Sequence, residues 1–228
     1  LTKTINIRNY VPNVAAVFDT NSILKINEIV ENPHDSFSDH KELERLSSPI
    51  IRNQNDVSII PISQGCLNKC TFCATKLARG NLVSYRIGDI KRALEKAVAE
   101  GCNVIYLASQ DNGCYGFDIK TNLPDLLDEL VTVKGDYTIR VGMANPWHIV
   151  KILDKLIESY KNKKIMKFIH IPLQSGSEQV LSHMKRVHST EDFRNIVNKF
   201  RESFKDITIS TDIIVGYPAE TEQDFQNT

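Results

Sequence analysis

The chain has no charge of one sign in excess. Its 28 Lys and Arg are matched by 28 Asp and Glu, so no global field draws it to nucleic acid or an anionic membrane, and any RNA contact must be local. Long hydrophobic runs are missing too: the longest apolar stretch, around residues 213–215, is far short of a bilayer span, and the first residues do not read as a secretory signal. A soluble, cytoplasmic protein is expected. Glycine and proline are sparse, at 10 and 8, and with 41% apolar and 25% charged residues this speaks against a collagenous, low-complexity or disordered chain. The five cysteines are an odd number with three inside eight residues, which suits a metal in a reducing compartment better than a secreted disulfide framework.

What is present is a rhythm. From Val57 onward short apolar runs alternate with amphipathic segments, the pattern of successive βα units around a parallel sheet in an α/β fold. Five strands are predicted, over residues 57–62, 104–108, 137–141, 166–171 and 207–215. Between them, Ile90, Ala93, Leu94, Ala97 and Val98 mark one helix, stopped by Gly101. Leu123, Leu126, Leu127, Leu130 and Val131 mark another, capped by Asn122 with Pro124 in its first turn. A third runs without a break from Pro146 through Ile149, Ile152, Leu153, Leu156 and Ile157 to Tyr160. A short helix runs from Ser177 to Met184, a longer one carries Phe193, Ile196, Val197, Phe200 and Phe204, and Thr221 with Asp224 has capping-box spacing. Such a series closes into a complete or partial barrel or spreads into a doubly wound sheet, and in both the chemistry gathers at the C-terminal ends of the strands.

Residues 1–56 differ: a strand is expected near residues 14–18, a helix over 22–30, then a polar stretch. Residues 1–45 read as the tail of a preceding domain, 46–56 as a linker and 57–228 as the core domain, incomplete at its C-terminus. Because the sequence opens on Leu1 and stops as a helix begins, a fragment is expected.

Directly after the first strand, Cys66, Cys70 and Cys73 form a C-x3-C-x2-C loop. Thiolates are soft ligands for iron–sulfur clusters, and three on one loop leave the fourth iron of a four-iron cluster without a protein ligand. The alternative is a structural zinc site, which needs a fourth ligand that Cys102 or Cys114 would have to bring from elsewhere. Cys102 is assigned to packing at a helix-to-strand junction, and Cys114 to a loop facing the same mouth.

The later strands end in polar or Gly-rich residues that could surround a zwitterionic nucleoside: Ser109, Gln110 and Asp111; Ala144 to Pro146; Gln174, Ser175, Gly176 and Ser177; Gly216 to Pro218. Turn chemistry alone also favours such residues. Asp212 interrupts an apolar strand, and a charge there needs a partner or a function. Arg140 interrupts its strand likewise and could meet Asp212 or the cofactor, while His170 is taken as a cavity residue.

The runs Pro61 to Cys70, Ala78 to Leu82 with Ser84 and Tyr85, Ser109 to Asp111 with Tyr115 and Gly116, and Thr121 to Pro124 carry a resemblance. So do Met143 to Pro146, His170 to Ser177, Met184 to Arg186 and Thr211 to Pro218. Together they resemble the radical S-adenosylmethionine (SAM) methylthiotransferases, especially the archaeal and eukaryotic threonylcarbamoyladenosine branch. The resemblance implies a partial (βα)6 barrel, here truncated after its fifth strand and preceded by the end of an α/β methylthiotransferase domain. It also implies a 4Fe-4S cluster on Cys66, Cys70 and Cys73, SAM on the open iron, and Phe72 beside the adenine. The SAM contacts expected are Phe72, Ser109, Gln110, Asp111, Arg140, Gln174, Ser175, Gly176, Asp212 and Gly216, with no catalytic residue beyond the cluster and SAM. The product would be 2-methylthio-N6-threonylcarbamoyladenosine beside the anticodon of tRNA. One SAM would supply the methyl group, another the radical that takes hydrogen from adenosine C2, and an electron donor would serve the cluster.

The chain departs from the pattern. The three N-terminal cysteines for an auxiliary 4Fe-4S cluster, expected only in a full-length protein, do not precede Cys66 in these residues; no TRAM domain is expected within them; Ala219 replaces a frequent Gly; and Cys114 and Phe117 stand where small and basic residues are usual. Arg79, Arg86, Lys91 and Arg92 form either a phosphate-binding strip or a solvated helix face, and Lys161, Lys163 and Lys164 are a weaker case. Two other readings stay open: a radical SAM enzyme with another substrate, and a zinc-stabilised RNA-binding module.

Overall fold

The computed structural model describes residues 7–19, 22–37, 46, 50 and 56–228. The chain divides into two units, residues 1–51 and 52–228. In the first, a 3-10 turn at Ser22–Lys25 runs on into helix α1 (Ile26–Glu31), as its sequence predicts. The strand expected near residues 14–18 is reduced to a single parallel bridge between Phe18 and Ser36, because no further ladder partner lies beside it among the described residues. The guanidinium of Arg8 forks onto both carboxylate oxygens of Asp35 at 2.7 and 2.9 Å. Most of the predicted linker, and residues 38–45 of the predicted domain tail, lie outside the described residues.

In the second unit the elements are β1 (Val57–Pro61), β2 (Ser63–Gln64), α2 (Thr75–Arg79), β3 (Val83–Ser84), α3 (Ile87–Ala99), β4 (Val104–Ala108), α4 (Leu123–Leu130) and β5 (Thr138–Val141). These are followed by α5 (Pro146–Ile149), α6 (Leu153–Tyr160), β6 (Phe168–His170), α7 (Glu178–His183), α8 (Thr190–Ser203), β7 (Thr208–Ser210) and α9 (Glu222–Asn227). Strands β1, β4 and β5 pair in parallel in that order, and β6 pairs in parallel with β7. Backbone bonds from Met166 N to Ile139 O and from Ala144 N to His170 O carry the arc from β5 to β6. Spatial order therefore follows chain order with no reversal, which makes this a partial barrel and not a doubly wound sheet.

Residue alternation separates two faces. Ile60, Ile105, Leu107, Ile139, Val141 and Ile169 are buried, as are the helix residues Ile90, Leu94, Leu126, Leu127, Leu130, Leu156, Ile196 and Phe200. Ile59, Tyr106 and Arg140 stand in register on the other face. Caps follow the sequence: Asn122 accepts from Asp125 N, and both Ser189 with Asp192 and Thr221 with Asp224 form full capping boxes.

Two expectations are corrected. The helix predicted over 146–160 is broken by a 3-10 turn at Val150–Ile152, where the β-branched Ile149, Val150 and Ile152 crowd together and Ile152 leaves helical geometry at φ −125°, ψ 9°. The fifth strand is three residues long and not nine, with one further bridge from Ile213 to Gln174. Asp212 therefore lies beyond β7, its side chain 58% exposed, and is not a charge buried within a strand.

Candidate metal centre and cofactor cleft

The cysteine loop leaves the C-terminal end of β1 through the short β2–β3 hairpin. Gly65 turns the chain at φ +74°, and a Cβ there would sit 1.9 Å from the Asn81 carbonyl oxygen, so only glycine fits. Its N–H donates to Gln110 Oε1 at 2.7 Å, and Lys76 Nζ ties the Cys66 carbonyl (2.5 Å) to Asn81 Oδ1 (2.6 Å). Farther along, Thr71 N donates to Met184 O at 3.1 Å, and the Thr71 hydroxyl lies 2.7 Å from that of Tyr217.

Each of the three sulfurs has an N–H aimed at it. Asn68 N donates to Cys66 Sγ at 3.4 Å, Thr75 N to Cys73 Sγ at 3.4 Å, and Arg186 Nη1 to Cys70 Sγ at 3.6 Å. Donors of this kind suit anionic sulfur, and the set fits a cluster held by three thiolates. Burial pushes the Cys66 thiol up from its ordinary value. A bound metal reverses that preference by taking the thiolate.

The three cysteines line one cleft, with a cavity of about 150 Å³, at the C-terminal ends of the strands. Phe72, Gln110, Gln174 and Asp212, all expected from the sequence, line it with them. The remaining expected residues take other places. Ser109 Oγ accepts from Asp111 N, and Asp111 is buried beneath the loop. Ser175 is buried and its Oγ accepts from Ser177 N; Gly176 packs against the end of α9, where a Cβ would lie 2.3 Å from Asn227 O. The Gly216 N–H donates to Glu220 Oε2.

Arg140 does not meet Asp212. Its guanidinium lies 5.1 Å from the Tyr106 ring centroid and 4.2 Å from that of Phe168, a cation–π position between two rings, while Asp212 pairs with His170 Nε2 at 3.0 Å. The basic strip is partly neutralised: Lys91 pairs with Glu129 and Arg92 with Asp89. Cys102 is buried, as packing predicted. Cys114 is fully buried, pushed up by that burial, and its Sγ donates to the Asp111 carbonyl.

Residue-level reading of the sequence missed Asn68, Lys76, Met143 and Arg186, which also line the cleft, whereas Asn145, which lines it too, is among the strand-end residues named from the sequence. Met143, Asn145 and Arg186 lie in the motifs that carried the resemblance, yet Arg186 stands 116 residues from the sulfur it reaches, and spacing gives no sign of that contact. Asp111, Cys114 and His148 are a further unpredicted group, with ligand-type atoms within 4.8 Å of one another.

The model of the radical SAM superfamily matches residues 60–228. The chain belongs to the radical SAM superfamily. It is 47% identical over 186 residues to a probable threonylcarbamoyladenosine tRNA methylthiotransferase of Pyrococcus horikoshii, covering 82% of this chain and 44% of that protein. It is 45% identical over 185 residues to the human threonylcarbamoyladenosine tRNA methylthiotransferase, covering 81% of this chain and 32% of the relative. Among solved structures, the radical SAM methyltransferase TsrM of Kitasatospora setae, with cobalamin and a [4Fe-4S] cluster bound, superposes at TM-score 0.59 with 17% identity, covering 74% of this chain and 32% of that one. The cobalamin-dependent radical SAM enzyme OxsB superposes at 0.61 with 13% identity, covering 92% and 28%. These likenesses show the partial radical SAM fold.

Proposed function

We propose that this radical SAM chain is the core of a tRNA methylthiotransferase acting on N6-threonylcarbamoyladenosine next to the anticodon. The chain spans less than half the length of the curated relatives named above, so activity, substrate and partners are inferred for the whole protein. The observation that carries the proposal is the cleft in which three cysteine sulfurs, each with its own N–H donor, meet Phe72, Gln174, Arg186 and Asp212 at the strand ends. Cys66, Cys70 and Cys73 would hold a 4Fe-4S cluster, and SAM beside it would supply a carbon-centred oxidant that no side chain provides.

The protein's own residues bind and orient. Phe72 offers a half-exposed ring for the adenine, and the Gln174 and Asp212 side chains face the cleft where a nucleoside's polar groups would sit. Arg186 brings a positive charge to the same wall, suited to a carboxylate. Ser109, Asp111, Ser175, Gly176 and Gly216 act behind this wall by shaping its loops, and Arg140 by presenting charge from the inner face of the arc. Residues 1–45 end a methylthiotransferase domain, 46–56 link it to the core at 57–228, and in the full-length protein that domain carries the auxiliary 4Fe-4S cluster and the sulfur. The electron for the cluster would come from a separate donor. No helix among the described residues is long and apolar enough to cross a membrane, and a cytoplasmic site of action fits a tRNA substrate.

Anaerobic reconstitution tests the cluster: about four irons per chain are expected, and normal loading after changing all three cysteines to Ala would sink the assignment. Nucleoside mass spectrometry of tRNA from a deletion strain tests the substrate. Loss of the 2-methylthio nucleoside with accumulation of its unmethylthiolated precursor is expected, and an unchanged profile argues for another substrate.

A further inference from the structure

We infer that His148 and Asp111 are positioning residues for the cysteine loop, acting through Asn68 to set the electron affinity of the cluster. This rests on the reading of Cys66, Cys70 and Cys73 as cluster ligands. Asp111 is 1% exposed and its carboxylate is the centre of a net. Oδ1 accepts from Gly113 N and Asn145 N, both at 3.0 Å; Oδ2 accepts from Asn68 Nδ2 at 3.2 Å and from His148 Nδ1 at 2.8 Å. With both oxygens doubly occupied, Asp111 has no lone pair left for a metal ion, so its proximity to Cys114 and His148 is not a second metal site. The carboxylate also fixes the imidazole tautomer, placing the proton on Nδ1.

The other end of the Asn68 amide is held as firmly. Asn68 Oδ1 accepts from Trp147 Nε1 at 2.7 Å, and the Trp147 ring lies against His148, tilted by 33° with centroids 4.1 Å apart. Two side chains thus fix one amide, with His148 behind both, and with it the peptide whose N–H points at Cys66 Sγ. Hydrogen bonds to ligand sulfur favour the more negative, reduced cluster, and partners behind a ligand tune it without touching it.

His148 itself shows that the net is more than packing. It is fully buried, and its Nε2 has no hydrogen-bond partner among the described residues. A buried unpaired nitrogen is destabilising, and an apolar residue of similar size would avoid it. Among the described residues the polar contact this side chain makes is the one to Asp111, and it is kept despite that penalty.

The test is an EPR-monitored redox titration of the anaerobically reconstituted protein. His148→Leu should retain iron yet shift the midpoint potential to a more negative value, because the Asn68 N–H drifts from Cys66 Sγ. His148→Asn, whose amide nitrogen takes the place of Nδ1, should restore it. A His148→Leu protein with a full cluster, unchanged potential and unchanged EPR spectrum overturns the inference. If His148→Leu does not fold, Trp147→Phe decides, since it removes the donor to Asn68 and leaves the Asp111–His148 pair in place: a smaller negative shift supports the inference and no shift overturns it. Wild-type protein that takes up no iron would overturn the cluster reading itself, and this inference with it.

Discussion

The cysteine loop is held from two sides that differ in kind. On one side Asp111, 1% exposed and braced by the fully buried His148, grips Asn68 through a charge-assisted bond. On the other, Thr71, Tyr217 and His183 share hydroxyl and carbonyl contacts at the exposed surface, on the side of the arc that ends in the short edge strand β7. A buried carboxylate with four donors is fixed or lost as a unit, whereas exposed hydroxyl contacts exchange with water at small free-energy difference. The first side is a rigid wall, and the second is held by bonds that water can replace.

Removing the centre of the buried side should break this contrast most sharply. Asp111→Ala leaves four donors without an acceptor and should destabilise the unit by about 3–5 kcal/mol, read as a fall in the urea midpoint. A loss below 1 kcal/mol would mean the two sides are alike.

On the opposite side, His188 gives a pH signature. Burial, aided by Arg186, lowers its pKa from 6.5 to about 4. The unfolded chain therefore takes up this proton first as pH falls. The stabilisation is complete above about pH 6.5 and is lost progressively down to pH 4, by up to about 3 kcal/mol. Urea titrations of His188→Gln should lack that slope, and an identical slope in both proteins would assign it elsewhere.

Smaller changes sharpen the comparison. Ala219 holds φ +71°, a left-handed conformation that an alanine side chain disfavours by about 1–2 kcal/mol. Ala219→Gly should raise stability by about 1 kcal/mol, and a fall in melting temperature would count against the strain. Tyr217→Phe, which removes one exposed hydroxyl from Thr71 and His183, should cost about 0.5–1.5 kcal/mol. An effect as large as that of Asp111→Ala would erase the distinction between the sides.

What could be read from sequence was what is local. The amphipathic stripes gave α3, α4 and α8, and the cysteine triplet gave the loop, because periodicity and ligand spacing act over a few residues. The stripe over 146–160 persisted through a 3-10 turn, since the same residues face inward on both sides of the break. The long apolar run at 207–215 overstated β7: Ile213 and Val215 are 40% and 63% exposed, on an edge where apolar sequence does not mean a paired strand. Asn68 meets partners 43 and 79 positions away, and Arg186 meets Cys70 across 116. Such contacts depend on how strands are stacked around the arc, which local pattern does not encode.

Trp147 is the chain's single tryptophan, and its indole N–H is bonded to Asn68, one of three residues between the first two cysteines. The protein therefore carries an optical probe at its metal loop. Its emission should dim as iron and sulfide assemble there and recover when a chelator strips them, so that loop assembly can be followed by fluorescence without any added label.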